Sequence, residues 1–167
     1  MVASGRNLAF EKAVTASFND LYRFAYWLCR NRWQAEDLVQ EALTRAWRGW
    51  AGLRDERAVK AWLFTIVHRE FQRLRPRMAL AGQDVDAADP AFDGDPGCAI
   101  DLKRALRALS DDSREALLMQ VLGGFSCAEI SSALGTSEGA VMTRLTRARQ
   151  AMRRRLESSD SKSAKQA

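Results

Sequence analysis

A row of arginines near the end of the chain lies on a segment whose apolar spacing predicts a helix. Between Ser137 and Leu156, the apolar residues recur on one narrow stripe at roughly 100° per residue. That stripe is expected to pack inward, which leaves hydroxyl and guanidinium groups on the outward side. These are Thr143, Thr146, Arg147, Arg149, Arg153 and Arg154, with Met142 and Gln150 among them.

A helix that reads the major groove of DNA needs hydrogen-bonding side chains near its N-terminal half and cations further along to meet phosphates. This segment has both, and Arg147 is placed to read a guanine, while Arg149 and the arginines from Arg153 to Arg155 would bind the backbone. The alternative is an arginine-rich surface helix that only contacts solvent.

The residues before this helix predict how it is positioned. Ser126 and Glu129 have the spacing of a capping box, which opens a short helix through Leu134, and Gly135 supplies a turn before the longer helix. A short helix, a tight turn and a longer helix are the plan of a helix-turn-helix. An earlier helix, capped by Asp111 or Asp112, is expected to end at Gly123 and Gly124.

The first half of the sequence predicts a three-helix bundle. The expected helices run from Leu8 to about Arg30 with Asn7 as N-cap, from Gln34 to Trp50, and from near Ala58 until Pro76 stops the third. The second has the clearest amphipathic pattern, with apolar residues at i, i+3, i+4 and i+7. The five tryptophans all fall within the first 62 residues and suit such a core.

Charge divides the chain into three parts. Residues 1–77 have net charge +6, residues 78–101 have −6 without one Lys or Arg, and residues 102–167 have +5. All three prolines lie at 76–96. We therefore predict an all-α protein of two small helical domains, at 1–77 and 102–157, joined by an acidic flexible linker at 78–101 and followed by a disordered tail at 158–167.

Several classes of function are disfavoured. No apolar run is long enough to span a bilayer and no signal-peptide core is present, so we expect a cytoplasmic protein. The cysteines, Cys29, Cys98 and Cys127, lack metal-ligand spacing, and we expect neither a metal nor another cofactor. The single histidine, His68, is expected to be a surface or strand-contacting residue rather than a general base. Because the sequence also has no phosphate-binding loop, an enzyme or a small-molecule substrate is not indicated.

Three segments resemble one family. AEDLVQEALTRAW at 35–47 and KAWLFTIVHREFQRLRPR at 60–77 are similar to region 2 of the extracytoplasmic-function (group 4) sigma factors of the sigma-70 family, and FSCAEISSALGTSEGAVMTRLTRARQAMRRRL at 125–156 is similar to region 4. The resemblance implies a sigma factor that binds core RNA polymerase and directs it to promoter DNA. It also implies an anti-sigma factor that holds the protein inactive, often at the inner membrane.

The resemblance also assigns residues to three contacts. For the polymerase, whose clamp helices and flap would be the partners, the matching positions are Asp37, Gln40, Glu41 and Arg45. For the minus-10 element they are Lys60, Trp62, Arg69, Arg73 and Arg77, although Trp62 also belongs to the apolar stripe and is more often core. For the minus-35 element they are Ser137, Met142, Thr143, Thr146, Arg147 and Arg149.

This sequence departs from the family pattern at Arg69, where an asparagine is common, and at Met142, where a cation is common. The promoter sequence therefore cannot be taken from relatives. A second hypothesis is a stand-alone helix-turn-helix regulator that binds DNA without polymerase.

Overall fold

The computed structural model describes residues 2–80 and 96–163, with side chains described at 5–55, 57–78 and 100–158. Over these residues the chain forms seven α-helices and no strand, which confirms the predicted all-α class. The helices are α1 (Val2–Cys29), α2 (Arg32–Gly49), α3 (Val59–Leu80), α4 (Pro96–Arg107), α5 (Asp111–Gly123), α6 (Cys127–Leu134) and α7 (Glu138–Ser163). They group into two compact units, one containing α1–α3 and the other most of α4–α7.

In the first unit, α1, α2 and α3 pack against one another around a core of apolar side chains. Phe24 of α1 and Phe64 of α3 are fully buried, and their ring centroids lie 5.1 Å apart. The buried residues of α2, Ala35, Leu38, Val39, Ala42 and Ala46, are those of the predicted apolar stripe. Its larger members are less enclosed, and Trp47 remains 40% exposed.

The connection between α1 and α2 is a two-residue turn. Arg30 has a φ of 54°, a left-handed conformation that ends α1. The side-chain oxygen of Asn31 then accepts a hydrogen bond from the backbone N–H of Gln34 at 3.0 Å and caps α2. Asn31, which sequence inspection did not single out, therefore fixes where the second helix begins.

Two predicted ends in the first unit are wrong. Asn7 does not cap α1, because the helix begins five residues earlier at Val2 and Asn7 lies inside it. Pro76 does not stop α3 either, since the helix continues to Leu80. Proline removes one backbone hydrogen bond but does not forbid a helix whose next turn is held elsewhere. Here Met78 lies in that turn, with its sulfur 4.0 Å from the Cys29 sulfur of α1.

The second unit is built on α7, which packs against α4 and α6. Val141, Leu145 and Ala148 of the predicted stripe are buried, and Met152 and Leu156 are half-buried. The buried Arg114 of α5 donates hydrogen bonds to the backbone oxygens of Leu106, at 3.5 Å, and Leu109, at 3.2 Å. It therefore binds carbonyl groups in the last turn of α4 and in the turn that follows it, where the intrahelical hydrogen bonds of α4 have ended.

The limits of α4, α5 and α7 also differ from the expected ones. α4 begins at Pro96 rather than near Asp101, because proline at a first helical position has no N–H that the helix requires. α5 follows Ser110, whose hydroxyl lies 3.4 Å from the Ser113 N–H, so neither Asp111 nor Asp112 is the cap. α7 continues past Leu156 to Ser163, since no Gly or Pro interrupts it. Residues 81–95 of the expected linker and 164–167 of the expected tail lie outside the described residues.

Candidate polymerase and promoter surfaces

The predicted polymerase-binding residues share one face of α2. At 100° per residue, Asp37, Gln40, Glu41 and Arg45 fall within an arc of about 140° that is opposite the buried stripe. Asp37, Gln40 and Arg45 are exposed and Glu41 is half-buried. We call these four residues the α2 polar face. Their presentation agrees with the expected contact, although their role stays a prediction.

The predicted minus-10 residues do not form one surface. Arg69, Arg73 and Arg77 are exposed and follow one another at four-residue spacing, so they make a stripe along α3. Lys60 lies about 180° around the same helix from Arg69. Its ammonium group forms an ion pair with Asp20 of α1 at 2.7 Å. The structure therefore does not bring Lys60 together with the arginines.

Trp62 belongs to an aromatic cluster that includes the N-terminal half of α1 and the C-terminal end of α2. Its ring centroid lies 6.2 Å from that of Trp50, which is 5.2 Å from Phe10, and Phe10 is 5.1 Å from Trp47. Trp62 is half-buried and closely approaches Gly49, where an added Cβ would lie 3.2 Å from the indole. Much of the Trp62 side chain is therefore enclosed by packing within the first unit.

Arg73 and Arg45 are joined by acidic residues that sequence inspection did not assign together. Arg45 lies 2.5 Å from the carboxylate of Glu70 and 3.4 Å from that of Glu41. Arg73 lies 2.8 Å from Glu70 and 3.4 Å from Glu41. We call Glu41, Arg45, Glu70 and Arg73 the α2–α3 charge ring. No spacing rule could have found it, because it depends on how two helices pack.

The helix-turn-helix of the second unit has the predicted local structure. The Ser126 hydroxyl accepts from the Glu129 N–H at 3.2 Å, and the Glu129 carboxylate accepts from the Ser126 N–H at 2.8 Å, which confirms the capping box. The hydrogen bonds from the Ser126 backbone and hydroxyl hold the pKa of Glu129 below its ordinary value. Gly135 follows with a φ of 63°, so the turn uses the left-handed conformation that favours glycine.

The predicted minus-35 residues all lie on α7 or at its start, but they are not equally available. Met142, Thr143, Thr146, Arg147 and Arg149 are exposed. Ser137 acts as the helix cap, since its hydroxyl accepts from the Ala140 N–H at 3.2 Å. Arg149 donates to the Gln120 side chain of α5. Of the two predicted minus-35 arginines, Arg149 is the one with a described side-chain partner, and the structure describes no ion pair or side-chain hydrogen bond for Arg147.

The hydroxyls of two predicted base-reading residues point back to their own helix. Thr143 donates to the Gly139 carbonyl at 2.9 Å, and Thr146 donates to the Met142 carbonyl at 2.8 Å. Their oxygens therefore remain as acceptors and their methyl groups as apolar contacts.

The described residues form no cluster of metal ligands, and the Cys29 thiol and the His68 imidazole are buried. The described residues contain no group of three or more His, Cys, Asp or Glu side chains that could hold a metal. Burial raises the pKa of the Cys29 thiol to about 12. His68 is only 5% exposed, with its Nε2 atom 3.2 Å from the Gln72 amide nitrogen, so the expectation that it lies at the surface is wrong. Its neighbour in α3, Val67, is buried as well.

Among the described helices, none combines the length and apolar character that a membrane span requires.

Comparison with known proteins identifies both units. Residues 13–77 match the family described as Sigma-70 region 2, and residues 99–152 match Sigma-70, region 4. The chain is 31% identical to the ECF RNA polymerase sigma factor SigM of Mycobacterium tuberculosis over 92% of this chain and 80% of that protein. It is 33% identical to SigL of the same species, covering 80% of each chain.

A probable RNA polymerase sigma factor of Xanthomonas campestris, RfaY, is 33% identical over 92% of this chain, which spans 42% of that relative's length. The sigma factor RpoE of Bartonella quintana, crystallised with the anti-sigma factor NepR, superposes with a TM-score of 0.74 at 32% identity, covering 89% of this chain and 96% of RpoE. The chain belongs to the extracytoplasmic-function sigma factors of the sigma-70 family.

Proposed function

We propose that this chain binds core RNA polymerase through the α2 polar face and directs it to promoters, with the first unit binding the minus-10 element and α7 the minus-35 element. The observation that carries the proposal is the presence of regions 2 and 4 in one chain and in the family's order. A helix-turn-helix alone would also suit a repressor, whereas region 2 has no place in one. The chain acts in the cytoplasm, where polymerase and promoters are found.

The proposed polymerase contact uses charged side chains together with a side-chain amide. Asp37 and Gln40 extend into solvent from a helix whose opposite side is fixed in the bundle core. Rigid presentation on a packed helix lowers the ordering cost of binding. The clamp helices of the largest polymerase subunit are the proposed partner for this face, and the polymerase flap is the partner for the second unit.

The promoter contacts use cations on two helices. Arg69, Arg73 and Arg77 form the proposed track for the minus-10 strand, and Arg147 reads a base of the minus-35 element. Trp62 offers only part of its ring, because the remainder packs against Trp50 and Gly49. Thr143, Thr146 and Met142 supply acceptor and apolar contacts beside Arg147.

An anti-sigma factor is the proposed regulator. RpoE of Bartonella quintana was crystallised with such a protein. In the first unit of this chain, Trp33 is 67% exposed and Phe18 is 43% exposed. Covering them would give a regulator apolar area to bury.

The direct test is co-elution with purified core polymerase in gel filtration at low salt. The wild-type chain should co-elute, and a variant with Asp37, Gln40 and Glu41 all changed to Ala should not. Because Glu41 also belongs to the α2–α3 charge ring, the Asp37→Ala/Gln40→Ala double variant separates loss of contact from loss of the ring. Glu11→Ala, at an exposed site on α1, is the matched control.

A second assay, transcription in vitro from a genomic fragment library, then yields the promoter motif. Failure of the wild-type chain to bind core polymerase without any inhibitor present would refute the proposal. Tight promoter binding without polymerase would support the stand-alone regulator instead.

A further inference from the structure

The α2–α3 charge ring connects two surfaces that are proposed to bind different partners. Arg45 and Glu41 belong to the α2 polar face, and Arg73 belongs to the arginine stripe of α3. Glu70 was assigned to neither surface, yet it contacts both arginines, with one carboxylate oxygen toward each. Glu70, like Glu41, therefore links the proposed polymerase contact to the proposed minus-10 contact.

Glu70 differs from the other ring members in its burial. Its side chain is 6% exposed, whereas those of Glu41, Arg45 and Arg73 are 43–46% exposed. An ionised carboxylate removed from water requires close cationic partners and hydrogen bonds. Glu70 has them, and it is too enclosed to contact polymerase or DNA itself. Its effect on either partner must pass through the arginines.

The contacts at Arg73 show how it is held. Its Nε and one terminal nitrogen lie 2.9 Å and 2.8 Å from the same Glu70 oxygen, and that terminal nitrogen also lies 3.4 Å from Glu41. The contacts described for Arg73 do not involve its other terminal nitrogen, Nη1. One edge of the guanidinium is thus fixed by carboxylates while nearly half of the side chain is exposed.

We propose that Glu70 is a positioning residue that orients Arg73 toward the minus-10 strand and Arg45 toward the polymerase. The inference rests on the proposed function of the two surfaces. An arginine side chain loses rotamer entropy when it binds, so a buried carboxylate that fixes it in advance strengthens its contact with a phosphate.

A positioning role predicts a change in strand affinity that is opposite in sign to the change expected from charge alone. Removing a carboxylate beside a DNA-binding surface raises the local positive charge, which by itself would strengthen binding to a polyanion. If Glu70 positions Arg73, Glu70→Gln instead weakens binding of the strand. The sign of the change therefore separates positioning from charge.

The experiment measures binding of core polymerase carrying this chain to a fluorescent oligonucleotide. The oligonucleotide has the non-template minus-10 strand of a promoter that the wild-type chain transcribes. Four proteins are compared with wild type: Glu70→Gln, Arg73→Gln, the double variant, and Glu11→Gln as a control of equal charge change. Glu70→Gln and Arg73→Gln should each weaken binding about tenfold, the scale of one charge-assisted hydrogen bond.

The double variant tests whether Glu70 acts through Arg73. It should be weakened about as much as Arg73→Gln alone, because the residue being positioned is already gone. A merely structural role would make the two losses multiply to about a hundredfold. The same set of single and double variants with Arg45→Gln, measured as affinity for core polymerase, tests whether Glu70 also positions Arg45.

The outcomes are distinct. Wild-type or tighter strand binding by Glu70→Gln, or multiplied losses in the double variant, would overturn the positioning role while leaving the proposed function intact. Absence of core binding by the wild-type chain would overturn both. If Glu70→Gln does not fold, as judged by circular dichroism, Glu70→Asp is measured instead. It keeps the charge but shortens the reach, and its loss should likewise vanish in the Arg73→Gln background.

Discussion

Arg147 and Arg154 provide a paired test of how α7 reads DNA. The two residues are seven positions apart, so they share nearly the same face and are separated by about 10 Å along the helix axis. Both are exposed. Arg147 lies two residues from the buried Leu145, about 200° around the helix, and is therefore on the side of α7 away from that core residue.

The expected magnitudes follow from these positions. A recognition helix inserts its N-terminal half into the major groove, so we expect Arg147 to meet base edges and Arg154 to meet the phosphate backbone. A bidentate arginine contact to guanine contributes about 1–3 kcal/mol of discrimination, so Arg147→Ala should lose about 5- to 150-fold in binding to the correct promoter. It should lose little on a promoter whose minus-35 element is scrambled.

Arg154→Ala should behave differently. Loss of a phosphate contact weakens binding to both promoters by a similar factor and lowers the slope of log affinity against log salt concentration by about 1. The assay is initiation and binding by polymerase carrying each variant, on matched and scrambled promoters, at several salt concentrations. Equal losses for the two variants on the matched promoter would refute the assignment of Arg147 as the base reader.

Three further predictions concern stability. Ser126→Ala should destabilise the second unit by about 1 kcal/mol by removing the cap of α6. Because the folded-state pKa of Glu129 is lowered, the stability that its carboxylate contributes is present above the ordinary value of 4.5 and is lost as pH falls through the lowered pKa. Thermal melts at acid pH should therefore show a larger loss of stability for wild type than for Ser126→Ala. Gly135→Ala should cost about 1–2 kcal/mol in thermal unfolding through its φ of 63° alone, since no atom lies within 4 Å of an added Cβ. Phe24→Ala should cost about 3–5 kcal/mol in urea unfolding of the first unit followed by tryptophan fluorescence, because this fully buried ring packs on Phe64.

Features that depend on local sequence were predictable. The apolar stripe of α2, the capping box at Ser126 and the glycine turn at Gly135 each follow from spacing within a few residues, and the structure confirms them. The helix ends at Asn7 and Pro76 were wrong for a common reason. Asparagine favours caps and proline disfavours helix interiors, but these preferences amount to about 1–3 kcal/mol and yield to neighbouring turns that are already helical.

Features that depend on packing between helices could not be predicted. The sequence places Glu70 one residue after Arg69 in a strongly basic segment, where it resembles any surface carboxylate. Its burial and its two arginine partners require the packing of α2 on α3. For the same reason His68 was expected at the surface, since a single histidine in a polar stretch does not reveal which side of the helix faces the core.

Hydrogen bonds within the second unit limit which bases the side chains of α7 are able to recognise. Ser137 is occupied as a cap, Arg149 is held by Gln120, and the Thr143 and Thr146 hydroxyls donate to their own helix. A threonine whose proton is committed can only accept, which matches the amino groups of adenine and cytosine and not the acceptors of guanine. Arg147 has the complementary chemistry, because it only donates. A guanine in the minus-35 element is therefore expected opposite Arg147, and bases that present an amino group or a thymine methyl are expected opposite Thr143, Thr146 and Met142.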